Sequence, residues 1–239
     1  MYINFLHFII SIFDKPNKIK IINFFKSKFN KNISVLIDVG AHKGETVFLF
    51  NKIFNIKSII SFEPNPKNYS QIMKKCEKVN NLKIFNLALG SEKKLIDFKD
   101  HFETQSSTLA EINKNSKYFK RKNFLLNPFK NKEIEIKIIK IKMDRLDNIL
   151  SQTNIKKIDI LKIDTEGHDF QVIKGLGNSI KIVKYIYFEH HFHDMLIKNY
   201  SLSDVHNYLK EFNFDKVFKC KMRFRKTFEY IYNNRSLSN

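Results

Sequence analysis

Three carboxylates close apolar runs in this chain. Asp38 lies within VLIDVGAHKGETVFLF (Val35 to Phe50), Glu63 follows SIISF, and Asp164 follows DILKI. One acid at the end of a hydrophobic strand is commonplace. Three at the same edge of one sheet would repel unless a ligand, water or cation stabilised them. In an open parallel sheet that edge is also where ligands bind, beyond the carboxyl ends of the strands. The turn after Asp38 carries Gly40, Ala41 and Gly44. Its D-x-G-x-x-x-G spacing lacks the G-x-G-x-x-G cradle of a dinucleotide site and the G-K-[ST] of a phosphate loop. The ligand that fits is a nucleoside without a pyrophosphate. Asp38 suits an ammonium or sulfonium better than a phosphate. Glu63, about 20 residues on, is placed to accept hydrogen bonds from two ribose hydroxyls. A ribose with a cationic tail and no phosphate describes S-adenosylmethionine.

Other segments add candidates. In NLALG, Asn86–Gly90, the backbone around Leu87 and Ala88 either lies against an adenine or is an ordinary strand exit. In DILKIDTEGHDFQVIKGL, Lys162, Asp164, Glu166 and His168 crowd a strand-to-helix junction. There Asp164 could face a methyl donor, and Glu166 or His168 could orient an acceptor hydroxyl. The plainer reading is a helix capped by Thr165 or Asp169. FEHHFHD, Phe188–Asp194, invites a metal at His191 and His193. No second ligand cluster has recognisable spacing, so no metal site is assigned. Glu189 or one of these histidines is either catalytic or structural.

The elements that must position these residues follow a βα rhythm. The pattern predicts strands at Val35–Val39, Ser58–Phe62, Leu82–Leu87, Ile158–Ile163 and Ile182–Phe188. Helices are predicted at Glu45–Phe54, Lys67–Val79, Phe170–Leu176 and Ser203–Phe212, with Pro66 suited to a first helical position. Continuous β-branched runs between helices imply an α/β fold with a mostly parallel sheet covered on both faces. Leu95–Phe98 reads as a short strand and Glu133–Met143 as a long alternating one. Asp144 is expected to cap a short helix, Asp144–Leu150. His101–Phe129 reads as irregular, and Thr104–Leu109 within it as a loop that closes over the donor. Phe214–Cys220 and Phe224–Ile231 form a last strand pair. The expected division is a basic helical segment over 1–32, one domain over 33–234, and a disordered tail over 235–239.

A chain of 239 residues with 43% hydrophobic residues can bury roughly 70–75% of its unfolded surface in one such domain. The net charge of +19 would ordinarily point to nucleic acid. Here the lysines are scattered, and Lys, Asn, Ile and Phe are over-used together, so no nucleic-acid partner is assigned. The two cysteines, Cys76 and Cys220, lie far apart, which fits a reducing, cytoplasmic setting. The N-terminal run MYINFLHFIISIF is too short to span a bilayer, which takes about 20 residues, and lacks a secretory leader's flanks. Lysines interleaved with Ile and Phe follow it. Residues 1–32 read either as helices packed on the domain or as a peripheral contact with the inner membrane surface.

Taken together, LIDVGAHKGETV, FEPNP, NLALG, MDRLDNIL and DILKIDTEGHDFQVIKGL resemble, in that order, the FkbM family of S-adenosylmethionine-dependent methyltransferases. The resemblance covers roughly Val35 to His190. It implies the class I methyltransferase fold, a Rossmann-like sheet flanked by helices, and methyl transfer to oxygen. The implied acceptor is a hydroxyl of a sugar, glycan or related small molecule. By matching motif, Asp38, Gly40, Ala41 and Gly44 form the donor loop, Glu63 is the ribose ligand, and Ala88 lies on the adenine side. Asp164, Glu166 and His168 fall in the family's K-I-D-x-E-G-x-E block, with Asp169 in place of its last Glu. The acceptor hydroxyl's base is expected among His168, Asp164 and Glu189. The rival readings are a non-catalytic membrane-associated protein on the same fold and, from Glu63 alone, a nicotinamide-dependent enzyme. Oligomeric state is not legible.

Overall fold

The computed structural model describes residues 2–76, 79–101, 107–126, 136–223 and 225–237, with side chains described from Asp14 onward. The chain opens with one helix, α1 (Tyr2–Phe29), where the sequence suggested several. β1 (Asn32–Val39), α2 (Glu45–Ile53), β2 (Asn55–Phe62), α3 (Pro66–Lys75) and β3 (Leu82–Phe85) follow in the expected rhythm. The middle contains β4 (Ala88–Leu89), β5 (Lys94–His101), β6 (Glu111–Ile112), α4 (Lys117–Leu126), β7 (Ile136–Asp144) and α5 (Leu146–Leu150). The rhythm then returns with β8 (Ile158–Ile163), α6 (Asp169–Lys174), a 3-10 turn at Gly177–Ile182 and β9 (Val183–His191). Last come β10 (Leu196–Ile197), α7 (Leu202–Glu211), β11 (Phe214–Lys221), β12 (Thr227–Asn234) and a 3-10 turn at Arg235–Leu237.

The main sheet has seven strands in the order β11-β12-β9-β8-β1-β2-β3. Every pairing from β9 to β3 is parallel. Antiparallel β12 enters between β9 and β11. This is the class I methyltransferase architecture. β8 is buried at all six positions, IDILKI, as a central parallel strand must be. The strand order turns back between β1 and β8, which puts the switch point, and the expected ligand crevice, where both strands end. A side sheet, β4-β7-β5, flanks that end.

Two apolar clusters cover the faces of the main sheet. One joins Ile37, Ile163, Val172, Ile186 and Tyr230. The other joins Ile21, Ile22 and Phe25 of α1 to Val47, Ile59, Ile160 and Ile231. The C-terminal half of α1 is therefore packed on the domain, and Asn17 Nδ2 donates to Lys221 O at 2.8 Å. Among the described residues no helix is long and apolar enough to cross a membrane.

Two expectations are corrected. His101–Phe129 is not wholly irregular, since it holds β6 and α4. Buried Ser116 caps α4 by accepting from Phe119 N at 2.9 Å, and Phe119 packs with Met195 and Leu196, tertiary contacts that a polar stretch does not announce. Asp144 ends β7 rather than capping α5, whose cap position is Arg145. Its Oδ1 still accepts from Arg145 N at 2.7 Å and Asn148 Nδ2 at 2.8 Å. Residues 104–106 of the expected closing loop and 133–135 of the expected long strand lie outside the described residues.

Candidate active site

A cleft of about 260 Å³ opens at the switch point. The recess between α1 and α2, at about 50 Å³, is too small for a nucleoside. One end of the cleft is built mainly from backbone. β1 leads into Gly40, whose N–H donates to Phe62 O at 2.9 Å. Gly40 has φ +79, and a Cβ there would stand 1.9 Å from the carbonyl oxygen of Asp164. Only glycine lets the ends of β1 and β8 approach this closely. Ala41 and His42 continue the wall, and His42 is held at φ +49. Gly44, at φ +83, does not line the cleft and instead forms the left-handed cap of α2.

Glu63 sits just past β2 and is 4% exposed. His42 N donates to its Oε2 at 2.7 Å, and Asn65 N to its Oε1 at 2.9 Å. Burial pushes this carboxyl up to about 7, against the pull of its hydrogen bonds from Asn65, His42 and Asn68. The carboxylate thereby ties the Gly40 turn to the start of α3, where Asn65 caps by accepting from Lys67 N at 3.0 Å. Leu87, Ala88, Leu89 and Phe98 give this end an apolar wall, and Ser107 and Leu109 border it.

Asp38 is placed differently from the sequence expectation. It is fully buried, does not line the cleft, and meets an internal cation, with Lys162 Nζ at 3.1 Å from its Oδ1. The same ammonium lies 3.4 Å from Asp164 Oδ2 and 3.5 Å from Gly40 O. Burial alone would lower the Lys162 amine, but Asp38 and then Asp164 outweigh it and raise it. The cation that reconciles two of the strand-end acids is thus a residue of β8 itself. Sequence reading noted Lys162 only as one of several polar groups.

At the other end, Asp164, Glu166, Tyr187, Glu189, Arg225 and Glu229 line the cleft together with Asp14 and Lys18 of α1. Glu166 is held at φ +50 before Gly167, with Thr108 Oγ1 donating to its carbonyl oxygen at 2.6 Å. Burial, followed by Asp164 and Glu166, pushes the Glu189 carboxyl well above the usual carboxylate range. Asp14, Tyr187, Arg225 and Glu229 went unremarked in the sequence, and Lys18 was noted only among the lysines that follow the N-terminal apolar run. Glu229 left only the trace of a lone acid in FEYIY, which does not say whether it faces a cleft or solvent.

Of the three expected bases, the cleft takes in Asp164 and Glu189. His168 is the exception. It occupies the cap position of α6, and its buried Nε2 faces Gly90, where a Cβ would meet it at 3.0 Å. Burial lowers its pKa to about 4, helped by Lys94 and Lys174. His190, His191 and His193 are buried without lining the cleft. His191 Nδ1 lies 3.2 Å from Thr227 Oγ1, and His193 stacks on Tyr118. Among the described residues no three His, Cys, Asp or Glu side chains are grouped to hold a metal.

A family model described as the Methyltransferase FkbM domain matches residues 38–216. Methyltransferase 1 of Beauveria bassiana (strain ARSEF 2860) is 24% identical over 150 residues, 61% of this chain and 59% of that protein. 2-O-methyltransferase NoeI of Sinorhizobium fredii (strain NBRC 101917 / NGR234) is 22% identical over 164 residues, 69% of this chain and 66% of that protein. The matched stretches thus span less than two thirds of either relative. The crystal structure of Methyltransferase FkbM from Methylobacillus flagellatus KT superposes with a TM-score of 0.55 at 12% identity, over 85% of this chain and 44% of that one. At that identity the likeness is one of fold.

Proposed function

The chain belongs to the FkbM methyltransferase family, and from that premise we propose that it methylates a hydroxyl oxygen of a sugar, glycan or related small molecule. S-adenosylmethionine is the methyl donor, and when bound it supplies a methyl group carried on a cationic sulfur. The observation that carries the reading is one continuous cleft, with a phosphate-free nucleoside wall at one end and carboxylates at the other. The relative named as a 2-O-methyltransferase supports oxygen as the acceptor atom.

The residues present fit the donor. Gly40 offers no side chain where one would collide with Asp164. Leu87, Ala88 and Phe98 suit an adenine face. A carboxylate has about four lone-pair sites, so with His42 N, Asn65 N and Asn68 Nδ2 already donating to it Glu63 keeps capacity for a further ribose hydroxyl. Asp38 acts one step back, by holding Lys162 in place. On the acceptor side, Asp164 accepts the acceptor hydroxyl's hydrogen bond and takes its proton as the oxygen becomes an ether. Lys162 fixes the orientation of that carboxylate. Such a base contributes about 10²–10⁴-fold, and holding the reacting groups in line contributes the rest.

Calorimetry with S-adenosylhomocysteine tests the donor end. Glu63→Ala is expected to weaken binding by about tenfold or more, the value of one or two hydrogen bonds to a charged group. Absence of binding by folded wild-type protein sinks the reading. Asp164→Asn is then expected to cut turnover by about 10²-fold or more while changing S-adenosylhomocysteine affinity far less.

A further inference from the structure

Glu189 of β9 and Glu229 of β12 are direct partners in an antiparallel ladder, so both side chains stand on one face, and both line the cleft. Like charges directly opposite each other destabilise a sheet. Glu229 is 6% exposed. Its Oε1 accepts from the Tyr187 hydroxyl at 2.5 Å, while its Oε2 is buried with no hydrogen-bond partner. A buried acceptor left unmade costs about 1–3 kcal/mol, so such an atom in a cleft wall marks where a ligand donor belongs.

Two of the cations nearby pair with other acids: Arg225 Nη2 lies 2.5 Å from Asp14 Oδ2, its charge also acting on Glu189, and Lys162 sits between Asp38 and Asp164. Lys18 acts on Asp14 and Glu229 through its charge alone. His191 Nε2, 3.9 Å from Glu189 Oε1, belongs to a ring that burial keeps well below the usual histidine range. Among the described residues five acids, Asp14, Asp164, Glu166, Glu189 and Glu229, line this end of the cleft against Lys18, Lys162 and Arg225, in a chain whose net charge is +19. Burial, opposed by the Tyr187 hydrogen bond, pushes Glu229 up to about 7. This end of the cleft holds more acids than cations, and Glu229 Oε2 has no donor on it.

We propose that the acceptor is an amino-bearing hydroxyl compound, its ammonium held between Glu189 and Glu229 and its reacting hydroxyl beside Asp164. This rests on the methyl-transfer reading of the same cleft. An ammonium brings one charge and three donors. A neutral hydroxyl in its place supplies a donor and leaves the carboxylates uncompensated. A phosphate or carboxylate adds a like charge.

The test uses the full chain loaded with S-adenosylhomocysteine and calorimetry with probes that differ at one group. One set is methyl glucosaminide, methyl glucoside and methyl N-acetylglucosaminide. The other is 2-aminocyclohexanol and cyclohexane-1,2-diol. In at least one set the amine is expected to bind about tenfold tighter or more than its twins, the order of one desolvated charge pair. Glu229→Gln, and independently Glu189→Gln, should bring that ratio to within about twofold, with S-adenosylhomocysteine binding as the check on folding. No amine preference in either set, whether the twins bind alike or none binds, overturns the proposal, and the wild-type ratios alone decide it. Loss of S-adenosylhomocysteine binding by the wild type strikes the methyl-transfer reading instead.

Discussion

At the donor end the wall runs mainly through three short stretches of chain, the Gly40 turn, the residues around Glu63 and the Leu87–Leu89 exit, with Phe98 beside them, and backbone hydrogen bonds tie the first two together. At the acceptor end Asp14, Glu166, Glu189, Arg225 and Glu229 arrive from α1, the loop after β8, β9, the β11–β12 turn and β12, and they meet through side chains. The first kind of wall depends on φ angles and close approach, and each motif carries its own geometry. The second depends on the whole sheet being assembled. A donor shared across many reactions suits the first construction. An acceptor that differs from enzyme to enzyme suits the second, because a side chain can change without moving the backbone.

Lys162 is the joint between the two ends, and removing it is expected to have the largest effect. Lys162→Met leaves Asp38 wholly buried without its cation, which costs about 3–5 kcal/mol. That is a large part of the about 5–15 kcal/mol stability of an ordinary domain. Urea denaturation reads it, and Asp38→Asn added to Lys162→Met should restore much of the loss. If the single variant stays within about 0.5 kcal/mol of wild type, the two ends are not coupled through this ion pair.

Gly40→Ala comes next and bears on the donor end alone. Its Cβ would lie 1.9 Å from a backbone oxygen, at φ +79, so the strands themselves must part. The expected cost is about 2–4 kcal/mol, with S-adenosylhomocysteine binding lost. Gly44→Ala is the control. It has the same sign of φ, but its Cβ would meet the Phe48 ring at 3.0 Å, a side chain that can shift, and about 1–2 kcal/mol is expected. Equal melting shifts for the two variants would mean that backbone conformation matters there and close packing on Asp164 does not.

The same contrast explains what could be read from the sequence. That Gly40, Glu63 and Ala88 line one cleft was legible because a tight turn, a distant acid and a strand exit leave short local patterns. The parallel sheet was legible because β8 and the second halves of β1 and β2 are buried on both faces and so read as largely apolar runs. Asp38 was singled out, but its ion pair with Lys162 was not legible, since that cation lies 124 residues away on β8 and strand order alone brings the two together. His168 was proposed as a base because it follows Asp164 closely. At the mouth of α6 four residues are enough to turn a side chain to the other side of the junction. Glu229 was missed because nothing local distinguishes an acid facing a cleft from one facing solvent; its pairing with Glu189 exists only once β12 inserts beside β9.

An effect smaller than those of Lys162→Met and Gly40→Ala probes the acceptor end through pH. Glu229 titrates near 7 in the folded protein, against an ordinary value of 4.5. Between those values the native state binds more protons than the unfolded chain, so this group makes stability fall as pH rises from about 4.5 to 7. His168, lowered to about 4, works the other way between 4 and 6.5, because the unfolded chain then binds the extra proton. The wild-type curve therefore mixes both, and the informative quantity is its difference from Glu229→Gln. That difference should move in the variant's favour by about 1–3 kcal/mol between pH 4.5 and 7.5 and then level off, the pair with Glu189 titrating as a unit. A difference that does not move would mean that Glu229 stays ionised throughout, with a compensating cation already in place. The acceptor end would then have no vacancy for a ligand's ammonium, and the two ends of the cleft would be equally complete without their ligands.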